Sequence, residues 1–510
     1  MHRALELPEI RDHIGQFLNI KTLLACIHVS HAFNTSFGPF LWHRVTFKDN
    51  PLQVLKSKRI DLLAFKKNAH HIRRLVYAST VAIELHTVHF QRLRSLVIDN
   101  TRCWFDDPRI DLATFVGLNP TIESLEIRRP RPRPKSTFWD TISSGWRNPK
   151  ELVVGFDAVA PDAADAFWRA CARFESLTCG HAIPPSSVLS TLMLEGIKSL
   201  CFVYPIDEQR PMAPEAKMTL MLACPNLSHL TGPPNFDEST FPQFLEALTN
   251  RTWPKLESLT LIGTRFPDDD EAIASILELV PPLKSLVMWH KKICLEPQFC
   301  RSIIGPLSFS RLSSRHFATL ESLSMTQCPA LSPEHVLTVL EQCPRLRKLE
   351  AAHVSVELMA KSSKPWICRE LEHLQLQIQG KTEGGFLPAF ERLGQLTRLK
   401  HLDLRSAVDH RPPSMPPRPP WVSRPYHFPE SERPTAADLV GNHYIRALKG
   451  LKQLEFLGMN SNEMDTEDVE WMCRQWRRLE RVSGRVSQVL DRRQQLVRVF
   501  EQHGIAVESV

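Results

Sequence analysis

From Ile72 onward one short phrase recurs along the chain: apolar-x-x-Leu-x-apolar. In the first half it reads Leu93-x-x-Leu96-x-Ile98, Ile122-x-x-Leu125-x-Ile127, Phe174-x-x-Leu177-x-Cys179 and Ile197-x-x-Leu200-x-Phe202. It continues as Leu256-x-x-Leu259-x-Leu261, Leu283-x-x-Leu286-x-Met288, Leu320-x-x-Leu323-x-Met325 and Leu346-x-x-Leu349-x-Ala351. The last strong copies are Leu371-x-x-Leu374-x-Leu376, Leu399-x-x-Leu402-x-Leu404 and Leu454-x-x-Leu457-x-Met459, with weaker ones centred on Leu75, Leu152, Leu230 and Val482. Between Leu75 and Leu402 the middle position advances by about 27 residues per step. One copy says little, but many copies at one period leave few options. The phrase has the side-chain alternation of a short strand, with its apolar positions on the inner face. No single copy can cover those positions, so neighbours must stack.

Between the strand phrases the apolar spacing becomes helical. Asp162 to Phe174 is one such stretch, and Asp268-Asp269-Asp270 leads Ile273, Ile276, Leu277 and Val280. Ser332-Pro333-Glu334 leads Val336, Leu337 and Leu340, a capping residue followed by proline at the first helical position. Glu467 to Leu479 is a further helix. A strand and a helix per turn predict an α/β fold, a curved solenoid with parallel strands on the concave face and helices on the convex face. The period falls within the range of about 20–29 residues of leucine-rich repeats, which these phrases resemble. Asp268 to Glu271 is acidic, but acids at a helix start are dipole partners more often than metal ligands. No metal is expected there.

Two stretches break the rhythm. Leu286 and Leu323 lie further apart than one period, so extra residues are expected between His290 and Ser314. Residues 411–434 hold nine prolines, including Pro412-Pro413, Pro416-Pro417 and Pro419-Pro420, and no strand phrase. They read as an extended proline-rich insertion within one repeat. The organisation read from the sequence is therefore an N-terminal helical unit at 1–48, repeats at 49–410, the insertion at 411–434, and C-terminal repeats with a cap at 435–510.

The N-terminal unit has its own pattern. Leu7-Pro8-Glu9-Ile10 is followed by Ile14, Phe17-Leu18, Leu23-Leu24, Val29-Ser30, Phe33 and Leu41-Trp42. Ile10, Ile14, Phe17 and Leu18 have the spacing of one helical stripe, and two further short helices fit between Ile20 and Phe37. Three small helices bury too little surface to stand alone, so an apolar face in need of a partner is expected. The Leu-Pro start, the Leu-Leu pair, the Val-Ser step and the Leu-Trp ending resemble the F-box. One departure is that only Glu9 separates Pro8 from Ile10, where the family usually has one more residue. An F-box followed by leucine-rich repeats resembles the substrate receptors of Skp–cullin–F-box ubiquitin ligases. The resemblance implies that the F-box docks on a Skp-type adaptor, and through it on cullin and RING subunits. It implies that the repeats hold a protein target for ubiquitination and proteasomal degradation. The residues it assigns to adaptor docking are Leu7, Pro8, Ile10, Ile14, Leu18, Leu24, Val29 and Trp42, some of which instead form the motif's own core.

Target recognition is expected on the concave face. Serine recurs at the third position of the phrase, at Ser95, Ser124, Ser176, Ser199, Ser258, Ser285 and Ser322, which suits a small, close-fitting site. Later copies carry His229, Lys348, His373 and His401 there. Trp289, His290, Glu350, His353, Gln375, Gln377, Asp403 and Arg405 are the residues expected to line the target-binding part of this face, since aromatic and arginine side chains anchor interfaces.

Composition narrows the remaining classes. The 63 basic and 56 acidic residues leave a charge of +7, mild for 510 residues, which does not call for a nucleic-acid partner. Arg128-Arg129-Pro130-Arg131-Pro132-Arg133-Pro134-Lys135 is the densest basic run and reads first as a solvated, proline-stiffened loop. The 12 cysteines form no Cys-x-x-Cys pair and read as reduced core residues. No phosphate loop, dinucleotide fingerprint, His-Glu-x-x-His or Gly-x-Ser-x-Gly is present, so a non-catalytic subunit without cofactor is expected. The start, Met1-His2-Arg3, lacks the pattern of a secretory signal, and no apolar run is long enough to span a bilayer. A cytoplasmic or nuclear protein is expected. The competing reading is a leucine-rich-repeat scaffold or inhibitor with no ubiquitin role.

Overall fold

The computed structural model describes residues 6–48, 62–78, 88–99, 112–128, 133–155, 158–179, 191–202, 212–232, 239–262, 269–289, 304–325, 331–379, 386–404, 444–459, 464–484, 486–487 and 489–508. The proline-rich stretch 411–434 and residues 290–303 lie outside them. The chain divides into two compact units. The first comprises Met1–Pro234 with Thr252–Lys255, and the second Asn235–Arg251 with Leu256–Val510.

The first unit opens with three helices, α1 (Pro8–Gly15), α2 (Ile20–Ile27) and α3 (His31–Trp42). Eight strands follow in chain order: β1 (Arg44–Lys48), β2 (Arg74–Ala78), β3 (Ser95–Ile98), β4 (Ser124–Ile127), β5 (Glu151–Val154), β6 (Ser176–Cys179), β7 (Ser199–Phe202) and β8 (His229–Thr231). Each pairs in parallel with the next. Register is held by the middle leucines, Leu75 opposite Leu96, Leu96 opposite Leu125, and so on to Leu200 opposite Leu230. Parallel strands require crossover connections, and the helices supply them. They include Leu112–Leu118, Ser136–Gly145, Ala164–Cys171 and Pro214–Leu222. The core lies between strands and helices. Phe65, Phe90 and Phe115 meet edge to face at 5.7 and 5.9 Å, one ring per successive repeat, and Trp139 packs on Phe167 at 4.9 Å.

Buried polar groups tie repeats together. Asn119 is wholly buried: it accepts from Phe90 N–H at 2.7 Å and donates to the Phe115 carbonyl at 2.8 Å. The Trp146 indole N–H donates to the Val116 carbonyl at 3.1 Å, and Trp253 does the same to Met221 at 3.2 Å. At strand entries one carbonyl accepts two consecutive N–H groups from the following repeat. Arg73 O takes those of Arg94 and Ser95, and Arg94 O takes those of Glu123 and Ser124. These bonds satisfy the backbone just where the chain turns into the sheet.

The second unit repeats this plan with β9 (Ser258–Ile262), β10 (Ser285–Trp289), β11 (Ser322–Met325), β12 (Lys348–Ser355), β13 (His373–Gln379), β14 (His401–Asp403), β15 (Phe456–Gly458), β16 (Arg481–Ser483) and β17 (Ala506–Glu508). All pair in parallel with their sequence neighbours. β12 and β13 are the longest, and β12 carries a bulge between Glu350 and His353. Helices Asp269–Leu279, Pro306–His316, Pro333–Gln342, Phe386–Leu393 and Thr466–Gln475 lie between strands.

Each unit thus has the parallel sheet and flanking helices of a leucine-rich-repeat-like solenoid. Every strand phrase read from the sequence coincides with a strand. Two strands have no counterpart in that reading, β1 and β17. The acid cluster also acts differently from the expectation. Asp270 does not serve its own helix alone: its carboxylate accepts from Gly305 N–H and Ser308 N–H, each at 2.9 Å, and from the Ser308 hydroxyl at 2.6 Å. It caps the helix of the next repeat. A Cβ at position 305 would collide with that carboxylate, which accounts for glycine there.

Candidate functional site

The N-terminal helices sort their apolar residues into two sets. Leu23, Phe33 and Phe37 form a small core, against which Ile14, Leu18, Cys26, Ile27, Phe40 and Leu41 pack. Both α1 and α2 rest on α3. Gly15 lies against the Phe40 ring, where a Cβ would come within 2.7 Å, so α1 can approach only because the residue is glycine. Arg11 reinforces the contact: its Nε donates to Ser36 Oγ at 2.8 Å and Nη1 to the Glu6 carbonyl at 3.0 Å. Asn19 and Ser30 cap α2 and α3 by accepting from Thr22 N–H and Phe33 N–H.

The other set faces water. Leu7, Ile10, Leu24 and Val29 are exposed, together with Phe17 (76 %) and Ile20 (63 %). Of the residues assigned to docking, Leu7, Pro8, Ile10, Leu24 and Val29 are therefore accessible. Ile14 and Leu18 pack on the unit's own core, and Trp42 is half-buried at the end of α3, just ahead of β1. The helical stripe read from the sequence is split because α1 ends at Gly15, so Phe17 falls in a turn and swings outward. Pro8 is the first residue of α1, where its missing N–H is no loss.

The second site is on the outward face of the second unit's sheet. The third phrase position forms a continuous row in register: Lys348, His373, His401, Phe456 and Arg481. Because strands are about 4.8 Å apart, flat rings in such a row stack. His373 lies on His401 at 4.0 Å with 13° between planes, and His401 on Phe456 at 4.0 Å with 3°. The Arg481 guanidinium sits 5.9 Å from the Phe456 centroid, within cation–π range.

The next outward row holds Glu350, Gln375 and Asp403 in register. Lys348 Nζ lies 2.7 Å from Glu350, and His373 Nε2 lies 3.6 Å from it. Burial alone would push the Glu350 carboxyl up, but hydrogen bonds from Lys348 and Ser324 outweigh it and hold the group below the usual carboxylate range. Burial, and then the charge of Lys348, lowers the His373 imidazole, against the pull of Glu350 and Asp403. Asp403 departs from the expectation of an outward, target-facing residue. It is only 3 % exposed. Its charge acts on His373, so it lies beside the ring row. Gln375 is half-buried. Trp289, His353 and Gln377 lie on β10, β12 and β13, and nothing of their side chains falls within the described residues. His290 and Arg405 lie outside them altogether. The histidine–phenylalanine–arginine row was not assigned a binding role from the sequence. Its signal was present, since His373 and His401 both replace the usual serine, but only the register shows that they stack.

Among the described residues no group of His, Cys, Asp and Glu could hold a metal. Burial pushes up the thiols of Cys171, Cys179 and Cys343, and that of Cys224 to about 12, so these cysteines are core residues and poor nucleophiles. In the basic run, residues 129–132 lie outside the described residues. Arg128 is held by Glu126 at 2.6 Å and Asp99 at 2.8 Å, which raises its guanidinium further and withdraws it from external anions. Among the described residues no helix is long and apolar enough to cross a membrane.

Neither a protein-family model nor a curated protein sequence matches this chain. Among solved structures, it is similar to a chain of the yeast Rad7 and Elc1 complex, with 16% identity over 74% of this chain and 89% of that one, at a TM-score of 0.42. It is also similar to TLR13 in its complex with ssRNA13, with 16% identity over 82% of this chain and 58% of that one, at a TM-score of 0.37. The internalin InlF of Listeria monocytogenes matches with 14% identity over 87% of this chain and 88% of that one, at a TM-score of 0.27. None of these likenesses bears on activity or partners here. What the chain's own strands and helices establish is a leucine-rich-repeat-like fold.

Proposed function

We propose that this chain is the substrate-recognition adaptor of a cullin-based ubiquitin ligase. The N-terminal helices dock on a Skp-type adaptor, which bridges to cullin and RING subunits, and the outward strand face holds a target protein for ubiquitination and proteasomal degradation. The observation that carries the reading is the division of the N-terminal unit. A unit with so small a core leaves six large apolar side chains exposed, Leu7, Ile10, Phe17, Ile20, Leu24 and Val29. Exposed apolar surface of this kind marks an interaction site. Leu7, Pro8, Ile10, Leu24 and Val29 face the adaptor, joined by Phe17 and Ile20, while Ile14, Leu18 and Trp42 hold the unit in shape. On the target side, Glu350 and Gln375 act with the row from Lys348 to Arg481, and Trp289, His290, His353, Gln377 and Arg405 are assigned to target contact on their residue types alone. Asp403, buried beside His373, does not reach the target. The chain contributes proximity to the reaction, not chemistry.

Co-purification with a Skp-type adaptor, with the proteasome blocked, tests both surfaces. Leu24→Asp with Val29→Asp should abolish adaptor capture while circular dichroism and melting stay unchanged, since both side chains are exposed. Phe33→Ala should lose capture for another reason, costing about 3–5 kcal/mol of packing in a unit with little to spare. His401→Ala with Phe456→Ala should keep the adaptor and release the target. Undiminished adaptor binding in the Leu24/Val29 variant sinks the docking assignment. A chain that retains its target and never an adaptor is instead a scaffold or inhibitor.

A further inference from the structure

A separate site lies at the strand-entry edge of the first unit. Arg73 precedes β2, Arg94 precedes β3 and Glu123 precedes β4, so stacking of repeats brings these side chains into one row. Gln91-Arg92, ahead of β3, and Arg147-Asn148, ahead of β5, lie beside that row. Together with Pro120 and Thr121 they border an open depression of about 570 Å³. This is within the range of about 300–1,000 Å³ for small-molecule sites.

The charge in this cavity is unbalanced. Four arginines line it with a single acidic residue, Glu123. That carboxylate is already engaged by Lys150 at 2.6 Å, with Arg94 at 3.4 Å, and the Lys150 hydrogen bond lowers its proton affinity. Among the described residues, Arg73, Arg92 and Arg147 have no carboxylate in ion-pair reach. The excess is felt by neighbouring groups. Burial, and then the charges of Arg73, His71 and Arg92, hold the His43 imidazole at about 4. His71 is lowered by burial, His70 and Arg92. Exposed arginines scattered singly would carry no such argument. Convergent ones around a concavity, with the amides of Gln91 and Asn148 beside them, raise the local concentration of anions.

We propose that this cavity binds a compact, multiply charged oxyanion of the phosphate class. Guanidinium forks match phosphate geometry with two parallel hydrogen bonds each, and several can share one group. The concave shape favours a compact ligand over a nucleic-acid strand, which needs a stripe of charge. This site does not rest on the ubiquitin-ligase reading and shares no residue with it.

The test is calorimetric titration of the full-length protein with inorganic phosphate and with pyrophosphate, each at constant ionic strength set with sodium chloride. Saturable one-site binding is expected. Arg92→Gln with Arg147→Gln should weaken it about tenfold or more, since each change removes charge-assisted hydrogen bonds. Arg169→Gln, at an arginine of the same unit paired with Asp140, should leave it unchanged. Binding of both anions points to a phosphomonoester, and of pyrophosphate alone to a polyphosphate. Nuclear magnetic resonance of His43 supplies a second readout, because a bound dianion must raise its pKa from the depressed value. Absence of saturable binding to either anion, equal affinity in the double variant, or a His43 titration indifferent to pyrophosphate overturns the proposal.

Discussion

His316 shows how much one side chain settles in a repeat. Its ring is wholly buried; Nδ1 accepts from Leu283 N–H at 3.1 Å, and Nε2 lies 2.9 Å from the Leu277 carbonyl. Since Nδ1 must accept, the proton is on Nε2 and donates to Leu277. The ring is neutral. Burial pushes its pKa below the usual value, with the Leu277 hydrogen bond opposing. The unfolded chain binds a proton there near pH 6.5, and the folded chain only at lower pH. Stability from this group is present above about pH 6.5 and is lost as pH falls below it. His316→Ala strands one N–H and one C=O in the core and should cost about 2–4 kcal/mol. Melting temperatures measured from pH 7.5 downward should fall less steeply in this variant than in the parent. Asn119 does the same work in the first unit with a side chain that does not titrate. Nothing in the apolar period marks either residue, because a buried polar group is specified by the backbone groups it meets, and most of those come from another repeat.

At the scale of elements, termini decide more than helix interiors. Proline opens the helices beginning at Pro8, Pro214, Pro306 and Pro333, where its missing N–H is no loss. The helix Leu490–Gln502 ends in the opposite way. Gly504 has φ 77°, its N–H donates to Glu501 O, and the Ile505 N–H reaches back to Phe500 O. Ile505 and Phe500, both buried, complete the cap. Gly504→Ala forces a Cβ into the left-handed region and should destabilise by about 1 kcal/mol, read as a lowered melting temperature. A matched Gly145→Ala should do no harm, since a Cβ there meets nothing within 4 Å. Of these starts, that at Pro333 was legible as Ser332-Pro333, and the acids at Asp268–Asp270 marked the helix Asp269–Leu279. The Asp270 cap was not legible, because its partner helix begins at Pro306, beyond any local window.

At the scale of the whole molecule, each repeat contacts chiefly its neighbours, so stability propagates along the stack one interface at a time. Leu323 sits in β11 between Leu286 and Leu349 and is wholly buried. Leu323→Ala should cost about 2–5 kcal/mol. Hydrogen exchange should show the loss concentrated in β10 to β12, with protection in β2 to β4 of the first unit unchanged. Uniform loss across the chain would mean a single cooperative core instead of a repeat array.

The apolar period by itself determined the strands, their parallel order and their register, because inner positions must match from copy to copy if neighbours are to bury them. It missed β1, whose phrase Trp42-x-x-Val45-x-Phe47 overlaps the end of the helical unit, and β17, where glycine occupies the first phrase position. Tertiary structure alone decided the rest. It separated the N-terminal apolar residues into core and exposed sets, since helix ends and the Gly15–Phe40 contact set which way each side chain turns. It stacked His373, His401 and Phe456 into one row and put Asp403 out of reach of water. It gathered Arg73, Arg92, Arg94 and Arg147 around one cavity. In each case the deciding contacts join residues a repeat or more apart, and spacing along the chain does not carry that distance.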